Sequence, residues 1–225
     1  MYIQWHAEEQ GSPVTVAGAA PDGASRTRFR VPFSSHFWEP VASAPLKRIG
    51  AQDKMATTTL FVGGARSGKS RLAQSACEAL PGPWTYIATA QAWDDEMADR
   101  IARHRADRGE GWQTVECPVA LPQAIRRADG PVLVDCLTLW LTNVMLGGHD
   151  VARHGDDLIA AIRAARHPLM LVSNEVGLGI VPEHPLGRAF RDEAGRLNQA
   201  AAAAVDRCWF VVAGMVLPLE RFDPS

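Results

Sequence analysis

Leu60-Phe61-Val62-Gly63-Gly64-Ala65-Arg66-Ser67-Gly68-Lys69-Ser70 is the stretch from which the rest of the chain is read. Gly63 to Ser70 spell G-x-x-x-x-G-K-S. Residues 57–62 before the motif are β-branched and apolar, the composition of a buried strand. Residues 71–80 after it contain neither Pro nor Gly and have helical composition. Strand, glycine loop and helix in this order are the context in which the motif holds an oligophosphate. Gly63, Gly64 and Gly68 let the backbone turn its N–H groups inward, with Ala65, Arg66 and Ser67 completing the loop. The positive end of the following helix adds to the attraction for an anion. Lys69 is expected to reach the β- and γ-phosphates, and the Ser70 hydroxyl to coordinate Mg²⁺. The competing reading, a glycine-rich turn that binds nothing, leaves the agreement of all the fixed positions and both flanks to chance.

The chain has 225 residues, 47% of them hydrophobic and 21% charged, which is enough apolar material for one sizeable core. A formal net charge of −2 gives no reason to expect nucleic acid or an anionic membrane as a general partner. No apolar run approaches the length of a membrane span. Cys77, Cys117, Cys136 and Cys208 form no C-x-x-C pair, and read as reduced residues of a cytosolic, cytoplasmic protein. The seven histidines form no H-x-x-x-H or H-E-x-x-H pair, so a transition-metal site is not expected.

Residues 1–54 mix Gly, Pro, Ser and Ala with isolated aromatics such as Trp5, Phe33 and Trp38, and no helix or strand period persists. They read as a mostly disordered leader without a secretory pattern. Met55, just before the first strand, is an alternative start. From there strand-like runs (57–62, 84–89, 112–116, 132–135, 169–173, 209–213) alternate with helical ones (70–80, 94–108, 121–128, 137–146, 151–166, 186–206). This alternation predicts one α/β domain over 55–225, a parallel sheet with helices on both faces. The alanine run 200–204 is expected to pack closely against a neighbour.

In open α/β sheets ligands sit beyond the carboxyl ends of the strands, and that rule selects a few residues. Asp135 ends Pro131-Val132-Leu133-Val134-Asp135. It reads either as a carboxylate that helps hold Mg²⁺ or as the N-cap of helix 137–146. Glu116 ends another strand on the same rim, with a solvated loop carboxylate as its alternative. In helix 94–108, Met97, Ile101 and His104 share one face, which presents His104 inward with Arg105 and Arg108 beside it. A neutral imidazole is a competent nucleophile towards phosphorus; an inward His is also an ordinary hydrogen-bonded core residue. Ser173-Asn174-Glu175-Val176-Gly177-Leu178-Gly179 follows a further buried strand. Its glycines would allow unusual backbone angles or a close ligand; otherwise Asn174 and Glu175 cap nearby backbone. Arg188 and Arg191 form helix salt bridges or face an anion.

Taken together, several segments resemble one family: Gly63–Ser70; Tyr86-Ile-Ala-Thr-Ala90; Asp94-Asp-Glu-Met97; Arg100-Ile-x-x-His-Arg105; Asp135-Cys-Leu-Thr138; Ser173-Asn-Glu-Val-Gly-x-Gly-Ile-Val-Pro182; and Phe190-Arg-Asp-x-Ala-Gly-Arg-x-Asn-Gln199. They are similar to the bifunctional adenosylcobinamide kinase / adenosylcobinamide-phosphate guanylyltransferase of cobalamin biosynthesis. The matches keep their order and cover essentially all of 55–225; the leader matches nothing. The resemblance implies a RecA-like P-loop NTPase fold and a homotrimer. It implies phosphorylation of the aminopropanol hydroxyl of the corrinoid by ATP or GTP, then GMP transfer from GTP through a guanylylated histidine. The matching histidine is His104. The nucleotide contacts carry over as Gly63 to Ser70, Ala88, Thr89, Ala90, Arg105, Ala106, Asp107, Arg108, Glu116 and Asp135. Lys69 joins His104 as a catalytic expectation, and Ser70 with Asp135 as the Mg²⁺ pair. Two other readings fit a P-loop: a different small-molecule kinase, which forms no protein–GMP bond, or a regulatory NTP-binding switch, which leaves the His104 motif unexplained.

Overall fold

The fold is taken from a computed structural model, which describes residues 57–91 and 109–220. The predicted leader 1–54, the alternative start Met55 and the expected helix 94–108 with His104 lie outside the described residues. The described strands are β1 (Thr58–Gly63), β2 (Trp84–Ala88), β3 (Trp112–Glu116), β4 (Val132–Asp135), β5 (Leu169–Asn174), β6 (Arg207–Val212) and β7 (Met215–Pro218). The described helices are α1 (Lys69–Glu78), α2 (Leu121–Arg127), α3 (Leu137–Leu146), α4 (Val151–Arg163) and α5 (Pro185–Ala204).

The strands form one sheet in the order β3-β2-β4-β5-β1-β6-β7. Every neighbouring pair is parallel except the β6–β7 hairpin. This hairpin is the one described strand pairing that the sequence reading did not anticipate. It turns on Ala213 and Gly214, both with positive φ (52° and 75°), the geometry of a tight hairpin turn. An Ala-Gly pair without flanking Asn or Asp carries a weak turn signal.

The sheet is buried on both sides because consecutive strand residues feed two different cores. Leu60 joins Val132, Val134, Leu169 and Leu171 beneath α2, α3, α4 and α5. Phe61 joins Leu133, Met170 and Val172 beneath Leu72, Ala73 and Cys77 of α1. A two-sided sheet explains why these strands read as continuous apolar runs rather than alternating ones. Within the alanine run, Ala201 is fully buried in the first core.

A side-chain clamp ties the start of β1 to the start of β6. Thr58 donates from both its N–H and its hydroxyl to Asp206 Oδ2 (2.9 and 3.0 Å), and Asp206 N–H returns a bond to Thr58 Oγ1 (3.0 Å). The clamp fixes where β1 begins, and hence where its carboxyl end delivers the glycine loop.

Candidate active site

The loop after β1 is shaped by two glycines. A Cβ on Gly63 would lie 2.2 Å from Val211 O of β6, so only glycine lets β1 end in this register. Gly68 occupies the N-cap of α1 at φ 96°, the left-handed region that favours glycine. Lys69 and Ser70 are the first two residues of α1. The Lys69 ammonium folds back over the loop and donates to Gly64 O at 2.9 Å; its side chain is buried. Ser67 carries a buried hydroxyl with no hydrogen-bond partner. Such a group costs about 1–3 kcal/mol while it stays unmatched. The β6–β7 turn holds the loop from behind, with Gly214 N–H donating to Ser67 O at 2.9 Å.

Asp135 closes β4, and the N-cap position of α3 falls on Cys136, so the helix-capping alternative for Asp135 does not apply. Its Oδ2 accepts from the Tyr86 hydroxyl at 3.2 Å. Tyr86 stands one strand away on β2, on the same face of the sheet. Ser70 in the first turn of α1 and Asp135 at the neighbouring rim form a hydroxyl–carboxylate pair. Among the described residues no group of three His, Cys, Asp or Glu could cage a metal. A hydroxyl and one carboxylate fit Mg²⁺, which keeps several waters and takes phosphate oxygens as ligands.

A wired polar layer lies beside the loop. The fully buried Thr89 hydroxyl donates to Cys136 O and accepts from Cys136 N–H, both at 2.8 Å. Asn143 Nδ2 donates to Thr89 O (2.7 Å) and Pro118 O (3.0 Å). The Thr89 side chain is therefore committed internally. Cys136 Sγ lies 3.2 Å from Thr138 Oγ1, which accepts from Asn174 Nδ2 at 2.7 Å. Burial, and then the Asp135 charge, push the Cys136 thiol above its ordinary pKa, while Lys69 pulls it down. It stays a neutral thiol.

Glu116 ends β3 and is exposed; its strand partner is Ala88. Three strands separate β3 from β1. At ~4.8 Å per strand, Glu116 sits roughly 19 Å along the rim from the glycine loop, and Ala88 roughly 14 Å. Ala90 is half-buried just beyond β2. Arg105, Ala106, Asp107 and Arg108 lie outside the described residues, like His104.

Three expectations change. Gly177 and Gly179 have no positive φ; a Cβ on Gly177 would lie 2.8 Å from Glu175 Oε1, so its smallness makes room for that carboxylate, which accepts from Gly177 N–H. Ser173 and Asn174 are the last residues of β5, not part of a capping loop. Arg188 donates to the carbonyls of Pro182 and Glu183, while Arg196 pairs with Glu193 and Arg191 lies 3.8 Å from Asp192. Tyr86, Cys136, Thr138, Asn198 and Gly214 are parts of the site framework to which the sequence reading gave no role. For Cys136 and Thr138 the available signal was the polar step directly after an apolar strand.

A groove of about 420 Å³ lined by Thr85, Gln113, Gln123 and Arg127 also reaches Pro83 and Gly130, near the amino ends of β2 and β4. It therefore opens at the other end of the sheet from the glycine loop. No helix among the described residues is long and apolar enough to cross a membrane.

Residues 59–219 match the family model described as cobinamide kinase / cobinamide phosphate guanyltransferase. The chain is 47% identical over 166 residues to the bifunctional adenosylcobalamin biosynthesis protein CobP of Pseudomonas aeruginosa, covering 72% of this chain and 96% of that protein. It is 44% identical over 179 residues to the bifunctional adenosylcobalamin biosynthesis protein CobU of Salmonella typhimurium, covering 72% and 98%. The CobU protein of Escherichia coli is 45% identical over 182 residues, with the same coverage of 72% and 98%.

Proposed function

The chain belongs to the cobinamide kinase / cobinamide phosphate guanyltransferase family, and from that premise we propose that one nucleotide rim serves two successive reactions on a corrinoid substrate. In the first, the γ-phosphoryl group of ATP or GTP passes to the aminopropanol hydroxyl of adenosylcobinamide. In the second, GMP passes from GTP to that new phosphate, giving adenosylcobinamide-GDP and pyrophosphate. The observation that carries this reading is the meeting of three things at one rim. They are a glycine loop bent by Gly63 and Gly68, a buried Lys69 folded across it, and Asp135 two strands away.

Phosphoryl transfer depends on in-line geometry and charge neutralisation more than on covalent help. The loop N–H groups of Gly63 to Ser70 and the dipole of α1 hold the triphosphate. Lys69 exchanges the Gly64 carbonyl for β/γ-phosphate oxygens. Ser70 and Asp135 would hold Mg²⁺, which supplies neutralisation of phosphate charge when bound. The unmatched Ser67 hydroxyl supports a loop that completes its hydrogen bonding with a ligand.

For the second reaction His104 Nε2 or Nδ1 attacks the α-phosphorus of GTP, the bond to the bridging oxygen breaks, and pyrophosphate leaves along the loop. The corrinoid phosphate then displaces the imidazole and takes up GMP. A covalent intermediate divides one difficult displacement into two easier ones. Arg105, Ala106, Asp107 and Arg108 follow His104 directly and contribute nucleotide contacts. The rim distances of Ala88, Thr89, Ala90 and Glu116 from the loop suit the ribose or base, not the triphosphate.

The functional unit is a cytoplasmic homotrimer in this reading. The four free cysteines support a reducing compartment. Exposed Leu178, Ile180, Val181 and Leu186 support a subunit contact; light scattering at three times the chain mass is the expected result. The catalytic domain spans 55–225, with 1–54 as a separate leader. Incubation of the protein with adenosylcobinamide, Mg²⁺ and γ-labelled ATP tests the first activity, and α-labelled GTP tests the second. Label on the corrinoid in both is expected; label on neither would refute the reading.

A further inference from the structure

The kinase reaction needs an alcohol aimed at phosphorus, and β5 places a candidate for that task between the two halves of the site. β5 lies between β1 and β4. Asn174 is the strand partner of Gly63, and Val172 is the partner of Asp135. Residues two apart on a strand share a face, so Asp135 and Asn174 emerge together on the α1 side. Asn174 is half-buried there.

Its carboxamide is held in one orientation. Nδ2 donates to Thr138 Oγ1 at 2.7 Å and faces Cys136 Sγ at 3.7 Å. Thr138 is buried and has Cys136 Sγ as its other neighbour, at 3.2 Å. The backbone is pinned as well. Asn174 O accepts from Asn198 Nδ2 at 3.1 Å, and Asn198 Oδ1 accepts from the buried Ser173 hydroxyl at 2.6 Å. With the nitrogen fixed on Thr138, Oδ1 points the other way. Among the described residues it accepts no hydrogen bond.

We propose that Asn174 is a catalytic residue of the kinase step: its Oδ1 accepts the hydrogen bond of the substrate hydroxyl and turns an oxygen lone pair towards the terminal phosphorus. Thr138 is the positioning residue that keeps the amide in this sense. The inference rests on the glycine loop being the kinase site. An amide oxygen is too weak a base to remove the proton, and a loose transition state does not require early removal. The alcohol oxygen–phosphorus bond forms as the bridging oxygen–phosphorus bond breaks. The nucleoside diphosphate leaves with that electron pair, and the alcohol proton passes through a product phosphate oxygen to solvent.

The test uses the full chain, adenosylcobinamide and ATP–Mg²⁺, with protein labelling by α-labelled GTP measured in parallel. Asn174→Ala is expected to lower kinase kcat about 100-fold, the scale of a lost orientation. KM for ATP and the extent of GMP labelling should stay near wild type, which also verifies folding. Thr138→Val is expected to lower kinase kcat about tenfold through the same amide, with Thr138→Ser restoring it. An active wild type whose Asn174→Ala form keeps kcat within threefold overturns the inference alone. A parallel fall of kinase turnover and GMP labelling also overturns it, because Asn174 would then serve nucleotide binding or folding. A wild type without kinase turnover overturns the reading of the loop, and this inference with it.

Discussion

The glycine loop and the β4–β5 rim stand side by side at the end of one sheet and are built in opposite ways. The loop offers backbone N–H groups, an unmatched Ser67 hydroxyl and a lysine resting on Gly64 O. The rim next to it is hydrogen-bonded throughout: Thr89 to Cys136, Asn143 to Thr89, Asn174 to Thr138, Asn198 to Asn174. One region is prepared to exchange its internal contacts for a charged ligand. The other is prepared to stay fixed while that exchange occurs. A site that must bind a polyanion and aim an attacking atom at it needs both, because orientation is lost if the frame moves with the ligand.

This contrast is sharpest at Lys69. Lys69→Ala is expected to lower both kinase turnover and protein guanylylation by roughly 10³-fold, as loss of a preorganised charge does. Thermal stability should hardly change, because the lost bond serves only Gly64 O. An intact kinase rate with lost guanylylation would mean separate nucleotide sites. The rim predicts the reverse pattern. Thr89→Val leaves Cys136 N–H and C=O unmatched in a buried place, and stability in urea should fall by about 2–4 kcal/mol. Equal stability with lost activity would put Thr89 on the ligand side of the comparison.

Gly63 belongs to both regions. Gly63→Ala forces a Cβ against Val211 O, and a stability loss of about 1–3 kcal/mol together with weaker nucleotide binding is expected. Normal nucleotide affinity in a destabilised protein would show that the loop tolerates a shifted β1. The smallest effect lies beneath α1. Burial, and then Glu78, push the Cys77 thiol up to about 12 from 9.0. The folded protein thus holds a proton that the unfolded chain releases above pH 9.0, so this contribution is full below that pH and is lost towards about pH 12. The loss is at most about 1.4 kcal/mol per pH unit. Cys77→Ala should flatten the alkaline decline in urea stability; an unchanged slope would contradict the assignment.

The same contrast explains what could be read before folding. The loop is eight consecutive residues whose chemistry depends on their neighbours in sequence, so Gly63 to Ser70 were legible without a fold. β2 to β5 were legible within a residue or so because strands buried on both faces are uniformly apolar. The β6–β7 hairpin was not, since Ala213-Gly214 is a weak turn signal and Met215–Pro218 is a short, exposed edge strand. The rim was legible only in part. Asp135 and Asn174 could be placed at strand ends, but their partners Tyr86, Thr138 and Asn198 are separated from them in sequence. No periodicity encodes which hydroxyl meets which amide; the strand order does.

The most direct measurement is a single incubation of wild-type, His104→Ala and Lys69→Ala proteins with α-labelled GTP and Mg²⁺, followed by a denaturing gel. The account predicts labelled wild-type protein, with label absent from His104→Ala and reduced by roughly 10³-fold in Lys69→Ala. Labelling of the His104→Ala protein at the wild-type level would contradict it.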